Sequence, residues 1–296
     1  MKKKSVAILL AAFNGEKYIT EQIHSLINQR NVDITIYISV DKSSDLTLSI
    51  VEQFVNEYPT LIKLLPYGDS YGSAGANFYR LIKDVDLTLH NYVSFSDQDD
   101  YWLPWKLISA ISKIENHGFD AYSSNAIAYW PKKKTMVIVK SQPQKKYDYI
   151  YESAGHGCTY VFTSDSLIEF KNVLVEKYEK SKSIELHDWL IYAFYRNNDM
   201  KWIIDTELSI LYRQHSNNEV GVNLGIKQYL NRVQKVSDGW YKKQIAKNLV
   251  FLDIDDNRFL SSMWMMTNIK ELRRRPRDRF ALFLFVLFKF KVLILC

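Results

Sequence analysis

The sequence predicts an α/β protein with a doubly wound, mostly parallel central sheet, and three observations carry that prediction. Through the first hundred residues, apolar runs of strand length alternate with segments whose apolar residues recur at helical spacing. The first run, VAILLAA at 6–12, is continuous, as expected of a strand that is covered on both faces. The chain of 296 residues, 47% of them hydrophobic, is long enough to bury a sizeable core. Alternation of this kind is typical of βαβ units.

The first half of the chain begins with a strand at 6–12. The opening MKKKSVAILLAA is similar to a signal peptide, but its short apolar run leads directly into Asn14 and Gly15, so it is interpreted as a buried strand. The same periodicities predict, in order, a helix at 16–29, a strand at 33–40, a helix at 45–58, a strand at 61–66, a helix at 75–85, a strand at 91–97 and a helix at 105–116.

The second half has a looser rhythm and no internal repeat. Its patterns predict strands at 120–130 and 134–140, a glycine-interrupted loop into a strand at 153–162, a helix at 164–178, a loop-to-helix segment at 184–195 and two short strands around Asp205. From about residue 225 the chain is expected to be helical and basic. We therefore predict a main domain at 1–222 and a C-terminal extension at 223–296.

Polar segments follow the predicted strands, and they are expected to converge. Right-handed crossovers bring the carboxyl ends of parallel strands to one edge of the sheet, where open α/β sheets bind their ligands. That edge would hold the segments 12–16, 41–45, 68–75 and 97–100. The sequence therefore predicts a single crevice lined by four polar loops.

The cluster Asp97-Gln98-Asp99 ends one of these strands. Two carboxylates with one residue between them can hold one hard divalent cation, Mn²⁺ or Mg²⁺, and that cation would relieve their mutual repulsion. The alternative is that Asp99 or Asp100 caps the next helix, where acids are favoured by the dipole.

Asp41 follows the second strand in the same way. Its carboxylate can accept a hydrogen bond from the imide N–H of uracil or thymine. It can also be a plain turn residue, with Ser44 or Asp45 capping the helix that follows. The loop AAFNGEKY lacks both the Gly-x-Gly-x-x-Gly pattern and the P-loop signature, so nucleotide binding of those two types is excluded.

Asp188 precedes an apolar helical run in the second half. It is either a helix-capping residue or a general base that activates an acceptor hydroxyl. Arg213 could bind phosphate, and His215 is a surface residue or a further metal or phosphate contact. The two cysteines, Cys158 and Cys296, form no disulfide framework or zinc pattern, which agrees with a reducing cytoplasm.

The C-terminal extension contains the strongest composition shift, RRRPRDR at 273–279 followed by a 17-residue apolar segment. Lys289 and Lys291 within that segment argue against a membrane-spanning helix. We favour an interfacial helix with its arginines at anionic headgroups, over nucleic-acid binding and over a core helix packed on the main domain.

Taken in order, the motifs resemble the family 2 glycosyltransferases. They are VAILLAAFNGEKY, SVDKSSDLT, GSAGANFYRLI, FSDQDDYWLPWKL, HDWL and YRQHSNNEVG, spread over residues 5 to 222. The nearest resemblance is to bacterial rhamnosyltransferase-like enzymes that build O-antigen, capsule or wall polysaccharide. It implies a GT-A fold, a nucleotide-sugar donor, a divalent cation and inversion at the anomeric carbon.

The resemblance also implies roles for residues of this chain. The nucleotide-sugar site would comprise Ala12, Phe13, Asn14, Glu16, Asp41, Asp97 and Gln98; the metal ligands would be Asp97 and Asp99; the catalytic base would be Asp188; and Trp102, His187, Arg213 and His215 would lie on the acceptor or phosphate side. The chain has His187-Asp188 where many family members have Glu-Asp or Asp-Asp, so Asp188 is expected to act alone.

The function predicted on this basis is transfer of L-rhamnose from dTDP-rhamnose to a lipid-linked glycan in cell-surface polysaccharide synthesis. The protein would act peripherally at the cytoplasmic face of the bacterial membrane, with no nucleic-acid partner, and it could form a homo-oligomer. The alternatives are a UDP-hexose transferase of the same fold and a non-catalytic, membrane-bound scaffold.

Overall fold

The computed structural model describes residues 3–131, 133–215 and 239–294. Its strands are β1 (Lys4–Ala12), β2 (Val32–Val40), β3 (Ile62–Leu64), β4 (Tyr92–Ser96), β5 (Tyr101–Trp102), β6 (Ala121–Trp130), β7 (Lys134–Ile138), β8 (Val161–Thr163) and β9 (Trp202–Arg213). Its helices are α1 (Ile19–Ile27), α2 (Thr47–Glu57), α3 (Ala74–Asp84), α4 (Lys106–His117), α5 (Asp148–Tyr151), α6 (Ser164–Glu176), α7 (Tyr178–Ser181), α8 (His187–Asn197), α9 (Trp240–Phe251), α10 (Ser262–Leu272) and α11 (Pro276–Ile294).

The strands of the described residues form one sheet in the order β3-β2-β1-β4-β8-β6-β9-β5, with β7 paired to β6. The first four strands of that order are parallel, while β8 runs antiparallel to both β4 and β6. The predicted parallel sheet is therefore confirmed in the half that carries the predicted crevice, and the other half is mixed.

Strand β1 lies inside the sheet and divides the core into two layers. Val6, Ile8 and Leu10 pack into one hydrophobic cluster with residues of α1, α2 and α4. The alternate residues Ala7 and Leu9 pack into the other cluster, with residues of α3, α6 and α8. Because successive strand residues point to opposite faces, a continuous apolar strand requires helices on both sides. The doubly wound prediction is confirmed.

Two local predictions are wrong. The segment predicted as two short strands around Asp205 is the single strand β9, which pairs with β6 along most of its length and absorbs shifts in register near Ser124 and Asn125. Residues 101–102 form a short strand on β9, at a place where the periodicities predicted no strand. Both errors arise from pairing between segments about a hundred residues apart, which local periodicity does not encode.

The described part of the C-terminal extension is helical, as predicted, and packs on the rest of the chain. Leu249 of α9, Leu272 of α10 and Leu282 of α11 share a hydrophobic cluster with Tyr151 of α5 and Trp189 of α8. Within the described residues, none of the helices has the length and apolarity needed to cross a bilayer. The predicted boundary at 222 and 223 lies outside the described residues.

The arginines of 273–279 were expected at lipid headgroups, and for two of them that expectation is wrong. Arg274 is 4% exposed and pairs with Asp148 and Glu152, while Arg273 pairs with Glu152 and donates to the hydroxyl of Tyr241. Buried charges need charged partners, and these carboxylates supply them. The packed arrangement matches the core-helix alternative for this part of the extension.

Candidate active site

The loop after β1 is tied to the loop after β2 by reciprocal hydrogen bonds. Asn14 adopts a left-handed backbone conformation (φ 46°), and its Oδ1 accepts from the N–H of Ser44 at 2.8 Å. Glu16 accepts from the N–H of Leu46 at 2.9 Å, and the N–H of Glu16 donates to Asp45 at 3.0 Å. Two of the predicted nucleotide-site residues, Asn14 and Glu16, therefore hold two crevice loops together.

Gln98 joins the same loop to the end of β4. Its Oε1 accepts from the N–H of Phe13 and its Nε2 donates to the carbonyl of Phe13, both at 2.8 Å. The side chain passes so close to Gly15 that a methyl group there would lie 2.0 Å from Gln98 Oε1. The ring of Phe13 is 52% exposed, while Ala12 is 2% exposed and accepts from the N–H of Asp41 at 2.8 Å. Backbone groups of the loop are thus fixed and the Phe13 ring is left accessible.

Asp41 is 4% exposed and faces the 68–75 loop. Its carboxylate accepts from the N–H groups of Lys42 at 2.7 Å, Tyr71 at 2.8 Å and Gly72 at 3.0 Å. A carboxylate has about four acceptor positions, so three are used by backbone donors. Asp41 therefore fixes the third crevice loop beside the first two.

The acidic cluster after β4 is split between the crevice and the core. Asp97 and Asp99 are partly exposed, whereas Asp100 is fully buried. Asp99 Oδ2 lies 2.7 Å from His215 Nε2, and the Asp99 carbonyl accepts from Arg213 Nε at 2.9 Å. The structure thus brings Asp99 to two other predicted residues, Arg213 and His215, that follow it by more than a hundred positions in the chain. Neither acid caps the next helix, because α4 begins at Lys106 with Trp105 at its N-cap; that alternative is wrong.

Asp100 is held below the crevice by a backbone contact, since its Oδ1 accepts from the N–H of Arg213 at 3.1 Å. Burial, followed by the charges of Asp99 and Asp97, raises the pKa of Asp100 well above its usual range. Ligand atoms of Asp97, Asp100 and Cys158 lie within 4.8 Å of one another. Burial also raises the pKa of the Cys158 thiol, with a further contribution from Asp100, so both groups favour their neutral forms.

The predicted metal ligands have donor types that suit a divalent cation, but the ligand group that converges within 4.8 Å among the described residues is Asp97, Asp100 and Cys158 rather than Asp97, Asp99 and His215. The carboxylates of Asp97 and Asp99 and the imidazole of His215 are ligands that Mn²⁺ accepts, and the carboxylates also suit Mg²⁺. Asp100 and Cys158 are buried, and burial raises the pKa of both groups, which disfavours the ionised forms that bind metal best.

Arg213 is nearly buried at the end of β9. Its guanidinium pairs with Glu21 of α1 and lies 4.7 Å from the centre of the Tyr18 ring. Trp102, predicted on the acceptor side, is 1% exposed and packs in the core beneath α1 and α4. That burial argues against an acceptor contact by Trp102.

Lys106 was not singled out from the sequence. It is 1% exposed, its Nζ donates to Ser94 Oγ at 2.9 Å, and it lies 3.5 Å from the centre of the Trp102 ring. Burial lowers the pKa of Lys106 to about 7. The only sequence signal for the burial of Lys106 was its place among the apolar positions of α4. That signal is weak, because a lysine at such a position usually extends its ammonium group into solvent.

Asp188 lies in the first turn of α8, whose N-cap is Leu186, so the capping alternative is wrong. Its Oδ1 accepts from the N–H of Trp189 at 2.8 Å. The hydroxyl of Tyr160 lies 3.4 Å from the carbonyls of both Asp188 and Gly155. Asp188 is partly exposed at the start of α8, and its carbonyl accepts from the buried Tyr160 hydroxyl.

His187 packs against aromatic side chains of the core. Its ring stacks on Phe78 with 4.1 Å between ring centres, and its Nε2 is shielded from solvent. A methyl group at Gly157 would lie 2.7 Å from that nitrogen. Burial lowers the pKa of His187 to about 3, so the ring is neutral at physiological pH. These contacts give His187 a packing role rather than the predicted place on the acceptor side.

Comparisons with known proteins indicate the family of the chain. The model of the family Glycosyl transferase family 2 matches residues 7–172. The dTDP-rhamnosyl transferase RfbG of Shigella flexneri is 40% identical over 285 residues, which are 94% of this chain and 99% of that protein. The UDP-Glc:alpha-D-GlcNAc-diphosphoundecaprenol beta-1,3-glucosyltransferase WfaP of Escherichia coli is 27% identical over 161 residues, 53% of this chain and 59% of that one.

Solved structures share the fold. The crystal structure of S. aureus TarS 1–349 superposes with a TM-score of 0.58 at 16% identity, covering 90% of this chain and 72% of that one. The mannosyltransferase PcManGT from Pyrobaculum calidifontis, solved with GDP-Man and Mn²⁺, superposes with a TM-score of 0.52 at 13% identity, covering 90% and 75%.

Proposed function

The chain belongs to glycosyl transferase family 2 and is a glycosyltransferase with a GT-A-like fold, and from this premise we propose that it transfers L-rhamnose from dTDP-rhamnose to a lipid-linked glycan with inversion. One observation carries the choice of sugar and nucleotide. The 40% identity to a dTDP-rhamnosyl transferase extends over 94% of this chain and 99% of that protein.

The nucleotide is assigned to the pocket between the first three crevice loops. Phe13 presents an exposed ring beside a backbone that Gln98 fixes, which suits stacking on a base. Asp41 retains acceptor capacity for the imide N–H of thymine beyond its three backbone donors. Asn14 and Glu16 contribute by holding the loops in register.

The divalent cation is assigned to Asp97 and Asp99, with His215 beside Asp99. When bound, a cation of this kind neutralises the charge that develops on a departing nucleoside diphosphate. Arg213 would position Asp99 through its contact with the Asp99 carbonyl, and Asp100 would position Arg213 through the Arg213 backbone.

Asp188 is assigned as the general base. Its carboxylate would take the proton of the acceptor hydroxyl as that oxygen bonds to the anomeric carbon and the bond to the diphosphate oxygen breaks. The hydrogen bond from Trp189 N–H fixes the Oδ1 atom of that carboxylate. His187, neutral and stacked on Phe78, keeps the helix start in place.

We further propose that the acceptor is carried by a lipid diphosphate and that the protein works at the cytoplasmic face of the membrane. The E. coli relative is named for an acceptor of that chemistry. On the C-terminal helices, Met263, Phe280 and Arg277 are 64%, 63% and 78% exposed respectively, a combination that suits an anionic bilayer surface. Attachment would thus use exposed residues of α10 and α11 rather than the buried Arg274 or the ion-paired Arg273.

A second candidate is transfer of a hexose from a UDP donor, which the name of the E. coli relative favours. Incubating the purified protein with dTDP-rhamnose, UDP-glucose and UDP-galactose, each with Mn²⁺, Mg²⁺ or EDTA, tests both. Measured binding and hydrolysis should favour dTDP-rhamnose and require the cation. Preference for a UDP sugar would replace the first candidate with the second.

A further inference from the structure

The segment between α5 and β8 is held from two sides by positive side chains. Arg274 donates from Nη2 to the carbonyl of Ser153 at 2.6 Å, and the hydroxyl of Ser153 donates to the carbonyl of Gly155 at 2.9 Å. Lys140 packs against the same segment, since a methyl group at Gly155 would lie 3.7 Å from both its Cβ and its Cγ. Lys140 and Arg274 therefore meet at residues 153–155.

The backbone at Lys140 is fixed, which gives its side chain a defined starting point. The N–H of Lys140 donates to Asn125 Oδ1 at 2.6 Å, and the N–H of Ser141 donates to the same oxygen at 3.0 Å. Asn125 is 5% exposed and is itself held by the carbonyl of Thr206.

Positive charge exceeds negative charge around Lys140. We call Arg196, Arg273, Arg274, Arg275 and Arg277 the arginine cluster; these five arginines share the three carboxylates of Asp148, Glu152 and Asp278. Among the described residues, no hydrogen bond or ion pair engages the Lys140 ammonium. Arg274 Nε is likewise buried without a hydrogen-bond partner in that part of the chain.

Crowded cations of this kind are costly unless an anion joins them. Burial, followed by the charges of Arg275 and Arg274, lowers the pKa of Lys140 to about 8, opposed by Glu152 and Asp278. The lysine still carries its proton through most of the neutral range. The positive charge of Lys140 and of the arginine cluster therefore exceeds the negative charge of the nearby carboxylates, and this excess would attract an anion.

The position of this charge relates it to the proposed base. The Tyr160 hydroxyl lies 3.4 Å from the carbonyl of Gly155, beside Lys140, and 3.4 Å from the carbonyl of Asp188. A methyl group at Gly157 would lie 3.5 Å from Asp188 Cβ. The cationic group and the base are thus neighbours across a single short segment, while the donor diphosphate is assigned to the Asp97 and Asp99 side.

We propose that Lys140, together with Arg275 of the arginine cluster, binds the diphosphate group of the acceptor and so places the acceptor hydroxyl at Asp188. Phosphate oxygens would supply the anion that the cluster lacks, and Arg275 has guanidinium N–H groups beyond the Nε that faces Asp278 at 2.8 Å. This site rests on the proposed function for its choice of ligand. It differs from the nucleotide site in that basic side chains, rather than a divalent cation, would bind the diphosphate.

The direct test is calorimetric titration of the full chain with inorganic pyrophosphate in EDTA, so that no divalent cation contributes. Lys140→Gln should weaken pyrophosphate binding about tenfold or more, because a hydrogen bond to a charged group is lost, and Lys140→Arg should restore it. Lys133→Gln is the matched control, since Lys133 is exposed and lies in the turn that precedes β7. Equal affinity in Lys140→Gln and Lys133→Gln would overturn the proposal.

A second arm distinguishes the two sources of diphosphate. The affinity for dTDP in Mg²⁺ should be unchanged in Lys140→Gln, while the KM for a glycan on a lipid diphosphate rises about tenfold and that for the same glycan as a methyl glycoside does not. A parallel fall in dTDP affinity would assign the charge to the donor and overturn the acceptor site. Pyrophosphate binding is measured without any donor. If dTDP-rhamnose proves not to be the donor, the pyrophosphate result is therefore unaffected, and failure of the proposed donor can be told apart from failure of the proposed acceptor site.

Discussion

The carboxamide of Gln98 hydrogen-bonds both the N–H and the carbonyl of Phe13, each at 2.8 Å, and so joins the end of β4 to the loop after β1. The contact depends on Gly15, because any larger residue there meets Gln98 Oε1. A side chain predicted to bind nucleotide is therefore engaged in fixing the backbone on which the nucleotide would rest.

Gly15→Ala should weaken binding of dTDP and lower the melting temperature, since the added methyl group displaces Gln98 and frees the Phe13 backbone. Overpacking of this kind costs about 1–3 kcal/mol. Calorimetric titration with dTDP and thermal unfolding measure the two effects.

A double-mutant cycle identifies the cause. Gln98→Ala removes the group that the new methyl contacts, so the double variant should be less destabilised than the sum of the two single variants. Strict additivity would mean that Gly15 and Gln98 act independently.

Asp99→Ala should reduce transfer by about a hundredfold or more, because a cation ligand and the partner of His215 are lost together. Removal of divalent cations with EDTA should have a comparable effect on the unaltered protein and little further effect on the variant. Asp33→Ala, at an exposed position of β2, is the control. Full EDTA-sensitive activity in Asp99→Ala would refute its role as a ligand.

The buried imidazole of His187 should make the stability of the folded protein fall at acidic pH. Burial lowers its pKa from 6.5 to about 3, so between these values the unfolded chain binds more protons than the folded one, and stability falls as the pH falls. From pH 6.5 to 5 this contributes about 1–2 kcal/mol to the loss of unfolding free energy.

His187→Leu removes that titration, so denaturant unfolding curves should show a shallower pH dependence than those of the unaltered protein over this range. Above pH 7 the variant should have a parallel pH profile. An unchanged slope below pH 6.5 would mean that the imidazole is reached by solvent and protons in the folded state.

Arg274→Met should destabilise the protein by about 3–5 kcal/mol, because Asp148 and Glu152 would lose a partner while remaining buried. Arg277→Met is the matched control, since the Arg277 side chain is 78% exposed, and its effect should stay within about 0.5 kcal/mol. Chemical denaturation measures both.

The variants Arg274→Met and Arg277→Met also test which arginine contacts the membrane surface. Arg277→Met should reduce binding to vesicles that contain phosphatidylglycerol, since an exposed cation is removed. Equal loss of vesicle binding in a folded Arg274→Met preparation would assign headgroup contact to the buried arginine and contradict its structural role.

The crevice could be predicted from sequence because its causes are local. Strand periodicity places Asp41 and Asp97 at strand ends, and the handedness of crossovers places those ends together. The burial of Trp102 and Lys106 could not be read in this way, because the strand that includes Trp102 pairs with β9, near Ile210. The partner of Arg274, Asp148, is 126 residues distant, so the arginine run looked like a free basic surface.

The central claim is that this chain transfers a sugar by base catalysis at Asp188, and one measurement addresses it most directly. Transfer from dTDP-rhamnose to a lipid-linked glycan is compared for the unaltered protein, Asp188→Asn, and Asp165→Asn, an exposed acid in the first turn of α6. The prediction is that Asp188→Asn retains the affinity for dTDP but loses transfer by about a hundredfold or more, while Asp165→Asn is unaffected. Transfer by Asp188→Asn at the rate of the unaltered protein would contradict the account.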